Sequence, residues 1–357
     1  MITPTYLYNK NKHLRDSNIS FFEDGHRYVV NGKTDFTSTT TFIHSLFSIF
    51  DTESVISSIM KKKDWFNNPD YKYYRMTSQQ IADIWKQNSE IASKAGTNMH
   101  YNIECFFNNM QFDIDLKNGN NFASSLIDFD ENIQNEQCQS NENIQNEQCQ
   151  SNQNTNNEQC QSNENTQNEQ CQSNENTQNE QCQSNENTQN EQYQNNEYVI
   201  FTESVEDQSK EFQYFKNFVK EIVIGEELEP YRTEMLIYDE DVKITGSIDM
   251  LYRKKNGEFA IFDWKRSKEI SYEGFRGKKS HIECIKHLND SNFWHYSLQL
   301  NIYRYILQKN YGFIVSDLRL VILHPDNDNY ICLTVPFLDK EINDLFETRK
   351  NNLNINY

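Results

Sequence analysis

Residues 242–265 read VKITGSIDMLYRKKNGEFAIFDWK, and this stretch decides the fold. Two runs rich in β-branched and aromatic residues, 242–252 and 259–265, flank the dipeptide Asn256-Gly257, which is typical of a tight hairpin turn. A third run of the same character, 231–238, precedes them and is separated from them by Asp239-Glu240. The sequence therefore predicts three consecutive strands joined by short turns.

Helical and extended patterns surround these strands. Upstream, Arg27–Val30 alternates like a short strand, 37–48 is typical of a capped helix, and 79–108 has the apolar spacing of a buried helix. Gly96 interrupts this last pattern, which leaves one helix or two. Downstream, the patterns predict helices at about 212–222, 294–309 and 338–350 and strands at about 317–324 and 330–335. This order predicts an α/β domain with a central mixed β-sheet flanked by helices.

An eleven-residue repeat divides the chain. Glu-Gln-Cys-Gln-Ser-Asn recurs from about 136 to 187, and each repeat offers only Cys or Ile as an apolar residue. An eleven-residue period also occurs in right-handed coiled coils, but so little apolar surface cannot offset the entropy of ordering the chain. We therefore predict that 131–196 is a disordered Asn/Gln/Glu-rich insertion in one domain, whose two parts are 1–130 and 197–357. Partner recruitment or metal binding by the spaced Cys residues is the alternative interpretation.

The net charge of −19 is unevenly distributed. The segment 131–200 holds twelve Glu and no Lys or Arg, whereas 250–290 holds ten Lys or Arg against six Asp or Glu. Basic side chains that neutralise phosphates supply most of the sequence-independent affinity of proteins for nucleic acids. The basic region is therefore the predicted contact region for such a partner.

The cysteines and the hydropathy pattern argue against several classes of protein. Five of the eight Cys residues lie in the repeat and none forms a CxxC pair, so we expect reduced thiols, no zinc ribbon and no iron–sulfur cluster. No N-terminal segment resembles a signal peptide, and no apolar run approaches the roughly 18 residues of a membrane span. The expectation is a soluble intracellular protein, in the cytoplasm or nucleus, with no membrane partner.

Two carboxylates and a lysine lie at the ends of the predicted strands. Asp249 is near the end of the second strand, and Asp263 and Lys265 end the third. Residues two apart on a strand share a face, so Asp263 and Lys265 point the same way, and a hairpin partner can place Asp249 beside them. Close carboxylates repel each other without a cation, and Mg²⁺ or Mn²⁺ prefers such oxygen ligands.

This group predicts a metal site for phosphodiester hydrolysis. The ion would acidify a water, and Lys265 would orient that water or stabilise developing charge. A solvated Asp–Lys pair is the alternative, because a DxK tripeptide alone is common by chance.

Four motifs in one order give the pattern more weight. They are Gly96-Thr97-Asn98-Met99-His100 with Glu104, Glu234 followed by Gly246-Ser247-Ile248-Asp249, Asp263-Trp264-Lys265, and Gln299-Leu300-Asn301-Ile302-Tyr303. Together they resemble the PD-(D/E)xK nuclease superfamily, and within it the group of RecB-like and mitochondrial genome maintenance exonucleases. The resemblance covers about 20–110 and 200–335 and implies a restriction-endonuclease-like core. The chain departs from the iron–sulfur members of the family, because it lacks their four clustered Cys residues.

The resemblance also implies roles for individual residues. It makes Lys265 the catalytic lysine, and it makes the ligands of Mg²⁺ or Mn²⁺ His100, Asp249, Asp263 and the main-chain carbonyl of Trp264. Its supporting residues are Glu234, Glu104, Gln299 and Tyr303. For Tyr303, plain helix packing is nearly as good an explanation.

Basic and aromatic residues follow the third strand. The candidates for contacting DNA phosphates are Arg266, Lys268, Arg276, Lys278 and Lys279, and those for stacking on bases are Tyr272, Phe275 and Trp294. For any single one of them, a position in a solvated loop is the simpler interpretation.

The expected function is that of a metal-dependent DNA nuclease. We expect an exonuclease that acts on DNA ends or single strands in replication, repair or recombination. Two alternatives stay open: a catalytically silent nucleic-acid-binding module of the same fold, and an interaction protein in which the repeat is the working part.

Overall fold

The structure, a computed structural model, describes residues 4–108 and 209–355. The insertion predicted at 131–196, with its repeat and its five Cys residues, lies outside the described residues.

A six-stranded mixed sheet forms the centre of the described part. The strands of the described part, which belong to this sheet or to a separate hairpin, are β1 (Ile19–Phe22), β2 (Arg27–Val30), β3 (Thr37–Ser38), β4 (Glu229–Asp239), β5 (Ile244–Arg253), β6 (Phe259–Lys265), β7 (Val315–Ile322) and β8 (Ile331–Thr334). The sheet order is β3-β5-β6-β7-β8 with β4 also paired to β5, while β1 and β2 form a separate hairpin. β6 and β7 are parallel, as are β3 and β5, and the other neighbours in the sheet are antiparallel.

Helices lie on both faces of this sheet. They are α1 (Tyr6–Lys10), α2 (Thr39–His44), α3 (Thr52–Met60), α4 (Lys63–Asn67), α5 (Ser78–Phe107), α6 (Lys210–Phe218), α7 (Asn292–Ile306) and α8 (Asp339–Ile355). A π-helical turn extends α6 over Val219–Ile224 and another extends α7 over Leu307–Tyr311. No helix within 4–108 and 209–355 combines the length and the apolar character needed to cross a membrane.

The long helix α5 is continuous through Gly96, which settles the choice between one helix and two. Thr77 caps its first turn by accepting the main-chain N–H of Gln80, whose side chain accepts the N–H of Thr77 in return. The segment 37–48 differs in part from the prediction. Its first two residues pair with β5 as a strand, and the helix begins at Thr39 behind a Ser38 cap.

Strand β6 is buried on both faces, so it lies in the middle of the molecule. Ile261 belongs to the large core that α2, α7 and α8 close on one face. Phe262 and Trp264 face the other side, where the rings of Phe215 and Phe218 pack within 5.7 Å of Trp264. A parallel neighbour such as β7 requires a crossover connection, and α7 provides it.

Strand β5 has a gap in its pairing, and this gap positions the candidate site. One edge pairs with β4 from Ile244 to Arg253. The opposite edge pairs with β3 at Ile244 and Thr245 and with β6 only from Met250 onward. Within the described ladders, residues 246–249 therefore have no strand partner on that edge, and main-chain and side-chain groups from several elements meet there.

Candidate metal centre

Asp249 lies where β5 and β6 separate. On this side, the β5–β6 ladder ends with the pair of Met250 and Phe262. One residue beyond it, the Asp249 carboxylate accepts the main-chain N–H of Trp264 through Oδ2 at 2.9 Å. A side chain thus replaces the main-chain acceptor that a continuing ladder would supply, and this fixes the orientation of the carboxylate.

His100 reaches this carboxylate from α5. Its Nε2 lies 3.0 Å from the carbonyl oxygen of Trp264. Its Nδ1 lies 3.6 Å from Oδ2 of Asp249 and 3.8 Å from Oε1 of Glu234. The imidazole therefore contacts groups from three strands, and its side chain is 28% exposed, so the site is open to solvent.

Glu234 completes this group from the neighbouring strand β4. The pairs on either side of it place it opposite Asp249, and its φ of 43° is a left-handed conformation that non-glycine residues seldom adopt within a strand. Ser247 donates its hydroxyl to Oε2 of Glu234 at 2.8 Å. One ligand atom each from His100, Glu234 and Asp249 lie within 4.8 Å of one another. The left-handed φ of Glu234 is a form of backbone strain, and such strain is typical of functional sites.

Asp263 and Lys265 form an adjacent ion pair. Nζ of Lys265 lies 2.6 Å from Oδ2 of Asp263, whose side chain is only 2% exposed. Apart from this ammonium, no described group donates a hydrogen bond to either oxygen of Asp263. Nζ of Lys265 also lies 4.7 Å from the ring centre of Tyr296, within the range of a cation–π contact. A buried carboxylate whose one described donor is a lysine has acceptor capacity left, and a further cation there lowers the cost of its burial.

Crowding of negative charge changes the acidity of the whole group. Burial and the neighbouring Asp263 raise the pKa of Asp249 to about 7. Burial lowers the pKa of His100, but Asp249 and Glu234 raise it more, so it lies at about 9. The pKa of Lys265 is above its usual range, since Asp263 and Asp249 outweigh the effect of burial.

Glu104, one helical turn after His100, belongs to the same group of interacting acidic side chains. Burial and then Glu234 raise the pKa of its carboxyl to about 8. Four carboxyl groups around one imidazole and one ammonium thus favour an added cation.

The residues present fit a hard divalent cation. Carboxylate oxygens, a main-chain carbonyl and one imidazole nitrogen suit Mn²⁺ or Mg²⁺ better than a thiol-binding metal. The carboxylate of Asp263, which has only Lys265 as a described donor, and the carbonyl of Trp264 lie beside the group of His100, Glu234 and Asp249. The ligand set expected from the sequence gave Glu234 only a supporting place, whereas the geometry puts it among the atoms that converge.

Tyr303 contacts strand β5 beside the site, and Gln299 forms a hydrogen bond with Tyr303. Nε2 of Gln299 donates to the hydroxyl of Tyr303 at 2.9 Å, and the ring of Tyr303 lies against Gly246. A Cβ on Gly246 would come within 2.4 Å of this ring, so the two motifs depend on each other sterically. Tyr303 is 3% exposed and belongs to the core, so it combines packing with a position beside the site.

Two tyrosines of the site are absent from the sequence-based list. Tyr296 lies three residues before Gln299, and that spacing puts both on one side of α7, so a search along the helix could have found it. Tyr28 comes from the β1–β2 hairpin. Burial, Glu234 and Asp249 raise its pKa to about 12. No motif marks Tyr28, because its position depends on how the hairpin packs against β4.

The basic residues after β6 fall into two sets. Arg266 pairs with Glu211 at 2.8 Å and Lys268 pairs with Asp326 at 2.7 Å. The other set, Arg276, Lys278 and Lys279, is exposed, and none of its members forms an ion pair with a described residue.

Comparisons with known proteins add little to this geometry. No protein-family model and no curated protein matches the chain. Among solved structures, it is similar to SSO0001 over 40% of this chain and 58% of that one, with a TM-score of 0.21 and 15% identity. It is also similar to a protein from Eubacterium rectale that is provisionally named an exonuclease, over 40% and 52% of the chains, with a TM-score of 0.25 and 14% identity. The chain thus spans about half the length of these structures, and TM-scores of this size carry no argument about function.

Proposed function

We propose that the protein is a Mg²⁺- or Mn²⁺-dependent nuclease that hydrolyses phosphodiester bonds of DNA. The observation that carries the proposal is the convergence of His100, Glu234 and Asp249 beside the buried pair of Asp263 and Lys265. Metal ligands next to a fixed ammonium are what hydrolysis of a charged diester requires. The order of the four sequence motifs supports a restriction-endonuclease-like core and membership of the PD-(D/E)xK superfamily.

Each residue has a part in this proposal. His100, Asp249, Asp263, Glu234 and the carbonyl of Trp264 would hold the ion, which would supply an acidified water and neutralise phosphate charge. Lys265 stays protonated at neutral pH because its pKa is raised, and it donates hydrogen bonds to the attacking water or to a phosphate oxygen. Asp263 and the Tyr296 ring hold the ammonium in place. The proposed mode is exonucleolytic, on DNA ends or single strands.

A catalytically silent binding module is the competing candidate. Such a module gains nothing from burying Asp263, which is 1% exposed, with Lys265 as its one described donor and Asp249 beside it, because that arrangement costs stability unless a metal ion also binds. The pairing of Asp263 with Lys265 is therefore better explained by catalysis.

A nuclease assay with matched variants tests the proposal. The full chain would be incubated with 5′- and 3′-labelled single- and double-stranded DNA in Mn²⁺, Mg²⁺ or EDTA. Wild type should cleave only with metal, and Lys265→Ala should lower kcat by about 100-fold or more. The matched control is Lys309→Ala, because Lys309 also pairs with a buried aspartate, Asp239, at 2.9 Å but lies away from the site. A folded Lys265→Ala protein with wild-type activity, or a wild type that is inactive under every condition, would overturn the assignment.

A further inference from the structure

Asn108 caps the C-terminal end of α5, and its buried side chain joins three parts of the chain. Its Nδ2 donates to the carbonyl of Glu104 in the last turn of α5 at 2.8 Å and to Oγ1 of Thr233 in β4 at 2.9 Å. Its Oδ1 accepts the main-chain N–H of Leu7 in α1 at 2.9 Å. Asn108 is 4% exposed, so protein groups and not solvent satisfy its amide.

The β4 partner of Asn108 directly precedes Glu234, the candidate ligand with the left-handed backbone. Strain of this kind persists only when the surrounding contacts fix it. Ser247 holds the side chain of Glu234 through Oε2 at 2.8 Å. On the main-chain side, Asn108 holds Thr233, the residue immediately before the φ of 43°. The position of the Glu234 carboxylate therefore depends on both contacts.

The same asparagine fixes the helix that carries His100. Residues 86–94 of α5 are all exposed, so the middle of this helix is poorly held by the rest of the described chain. Its C-terminal end is held firmly, because the ring of Phe107 packs 5.7 Å from that of Tyr252 and Asn108 is bonded to β4. His100 lies about two helical turns before Asn108. A shift of this end therefore changes the distance between the imidazole and Glu234.

We propose that Asn108 is a positioning residue of the metal centre. It holds α5 against β4 so that His100 and Glu234 reach the same ion, and α1 contributes through the hydrogen bond from Leu7. Asn108 acts through Thr233 and the end of the helix and is not itself a ligand. The inference rests on the proposed metal-dependent nuclease, for which it adds a determinant of metal affinity that lies outside the four motifs.

A second asparagine with the same set of hydrogen bonds provides a matched control. In α7, Asn301 is 2% exposed, and its Nδ2 donates to the carbonyl of Ser297 at 2.8 Å and to that of Pro336 at 3.0 Å. Its Oδ1 accepts the main-chain N–H of Leu338 at 2.8 Å. Both asparagines thus bond the carbonyl four residues earlier and more distant parts of the chain, but the partners of Asn301 lead into α8 and not into β4.

Titration calorimetry of the full chain with Mn²⁺, in the absence of DNA, measures the proposed effect. Asn108→Ala should weaken Mn²⁺ binding about tenfold, the lower end of what outer partners of metal ligands contribute. Asn301→Ala should bind Mn²⁺ as wild type does, because Asn301 is two residues from Gln299 and Tyr303 and does not share their side of α7. Both variants should lower the midpoint of urea unfolding similarly, since they lose equivalent buried hydrogen bonds.

Substitutions of Thr233 test the same hydrogen bond from its acceptor. Thr233→Val keeps the shape of the side chain but removes Oγ1, so it should weaken Mn²⁺ binding as much as Asn108→Ala does. Thr233→Ser keeps the hydroxyl and should retain most of the wild-type affinity. The double variant with Asn108→Ala and Thr233→Val should bind nearly as well as either single variant, because both changes remove one interaction. Full additivity would contradict the coupling of the two residues.

Hydrogen exchange in EDTA observes the contact without metal or substrate. Asn108→Ala should speed the exchange of main-chain amides around Glu234 by more than its change in global stability explains, and Asn301→Ala should not. The proposal is overturned if folded Asn108→Ala binds Mn²⁺ as wild type does, or if Asn301→Ala weakens binding equally. A wild type that binds Mn²⁺ but cleaves no DNA would remove the nuclease assignment alone, whereas one that binds no divalent ion would overturn both proposals.

Discussion

Asp263 and Asp239 are both 1% exposed and both pair with a lysine, but their surroundings differ. Asp239 accepts the main-chain N–H groups of Asp241 and Val242 and the side chains of Lys309 and Asn310. The oxygens of Asp263 have only the Lys265 ammonium as a described donor. Asp239 therefore stabilises the fold, whereas Asp263 has acceptor capacity left for the metal ion that we propose.

Neutral replacement of each aspartate measures this difference. Asp239→Asn should lower the free energy of unfolding by about 1–3 kcal/mol, because it removes the acceptor for several buried donors. Asp263→Asn should cost clearly less and should abolish metal-dependent cleavage. Urea unfolding in EDTA, together with the nuclease assay, checks both expectations. An equal loss of stability in the two variants would make Asp263 a structural residue.

If His100 and Asp249 are metal ligands as proposed, protons and the metal ion compete for them. In the metal-free protein, the pKa of His100 is about 9, so at pH 7 the ring carries a proton that must leave before a nitrogen can bind the ion. Affinity for Mn²⁺ should therefore rise by up to about tenfold per pH unit from 7 to 9. It should rise more steeply below 7, where Asp249, with a pKa of about 7, also loses a proton.

Titration calorimetry in buffers of different ionisation enthalpy measures this proton release. Wild type should release close to one proton per Mn²⁺ at pH 8. His100→Ala should bind more weakly and with a flatter pH profile, because the proton it displaces is gone. A flat profile in wild type would contradict the role of His100 as a ligand.

Regular strand geometry is enough to place some residues of the candidate site together and not others. Asp263 and Lys265 lie on one face of a strand by simple alternation, and Asp249 is brought to them by a hairpin that Asn256-Gly257 marks. Glu234 was given a lesser place, because its inward position depends on a φ of 43° that interrupts the regular geometry of β4. A local sequence pattern predicts the regular alternation of side chains along a strand, but it does not predict a residue whose backbone angles depart from that geometry.

At the level of elements, the contact between α7 and β5 locks the site into the sheet. The Tyr303 ring occupies the space that a side chain at Gly246 would need, and Thr39 of α2 donates its hydroxyl to the carbonyl of Thr245 at 2.9 Å. The two helices thus cover the gap in the pairing of β5. Because α2 and α7 contact β5 from a face of the sheet, they hold this strand in place without pairing with its edge at residues 246–249.

Gly246→Ala tests this packing. Its Cβ would lie 2.4 Å from Cε1 of Tyr303, and a ring that is 3% exposed cannot move away freely. The substitution should cost about 1–3 kcal/mol of unfolding free energy, typical of overpacking, and should reduce cleavage by displacing Asp249. In the double variant with Tyr303→Ala the two losses should be less than additive, because the clash is gone. Strict additivity in chemical denaturation would show that the contact is unimportant.

Element boundaries were predicted well where the pattern is long. Strands β4, β5 and β6 and the helix α5 lie within two residues of the predicted bounds. Thr37 and Ser38 were assigned to a helix but pair with Ile244 and Thr245 of a strand two hundred residues away. Only the tertiary fold supplies that partner, so a local pattern of Thr and Ser could not indicate it.

At the scale of the whole molecule, the two parts of the domain meet where the chain leaves and re-enters the described region. The rings of Phe106 in α5 and Phe212 in α6 are 6.3 Å apart, and Phe107 contacts Phe215. The last described turn of α5 and the first turns of α6 are therefore in contact, so a short connection can join these two helices. His100 precedes the segment 109–208 in sequence and Asp263 follows it.

Deletion of 131–196 should accordingly leave metal-dependent cleavage within about twofold of wild type. The closing entropy of a chain without regular structure, which the repeat composition predicts, grows only with the logarithm of its length. Shortening the connection from about 100 to about 34 residues should therefore stabilise the fold by only about 1 kcal/mol. Urea unfolding and the nuclease assay measure the two quantities on the same preparation. Loss of cleavage by a folded deletion variant would instead favour the repeat as the working part, because the metal ligands and Lys265 are all retained in it.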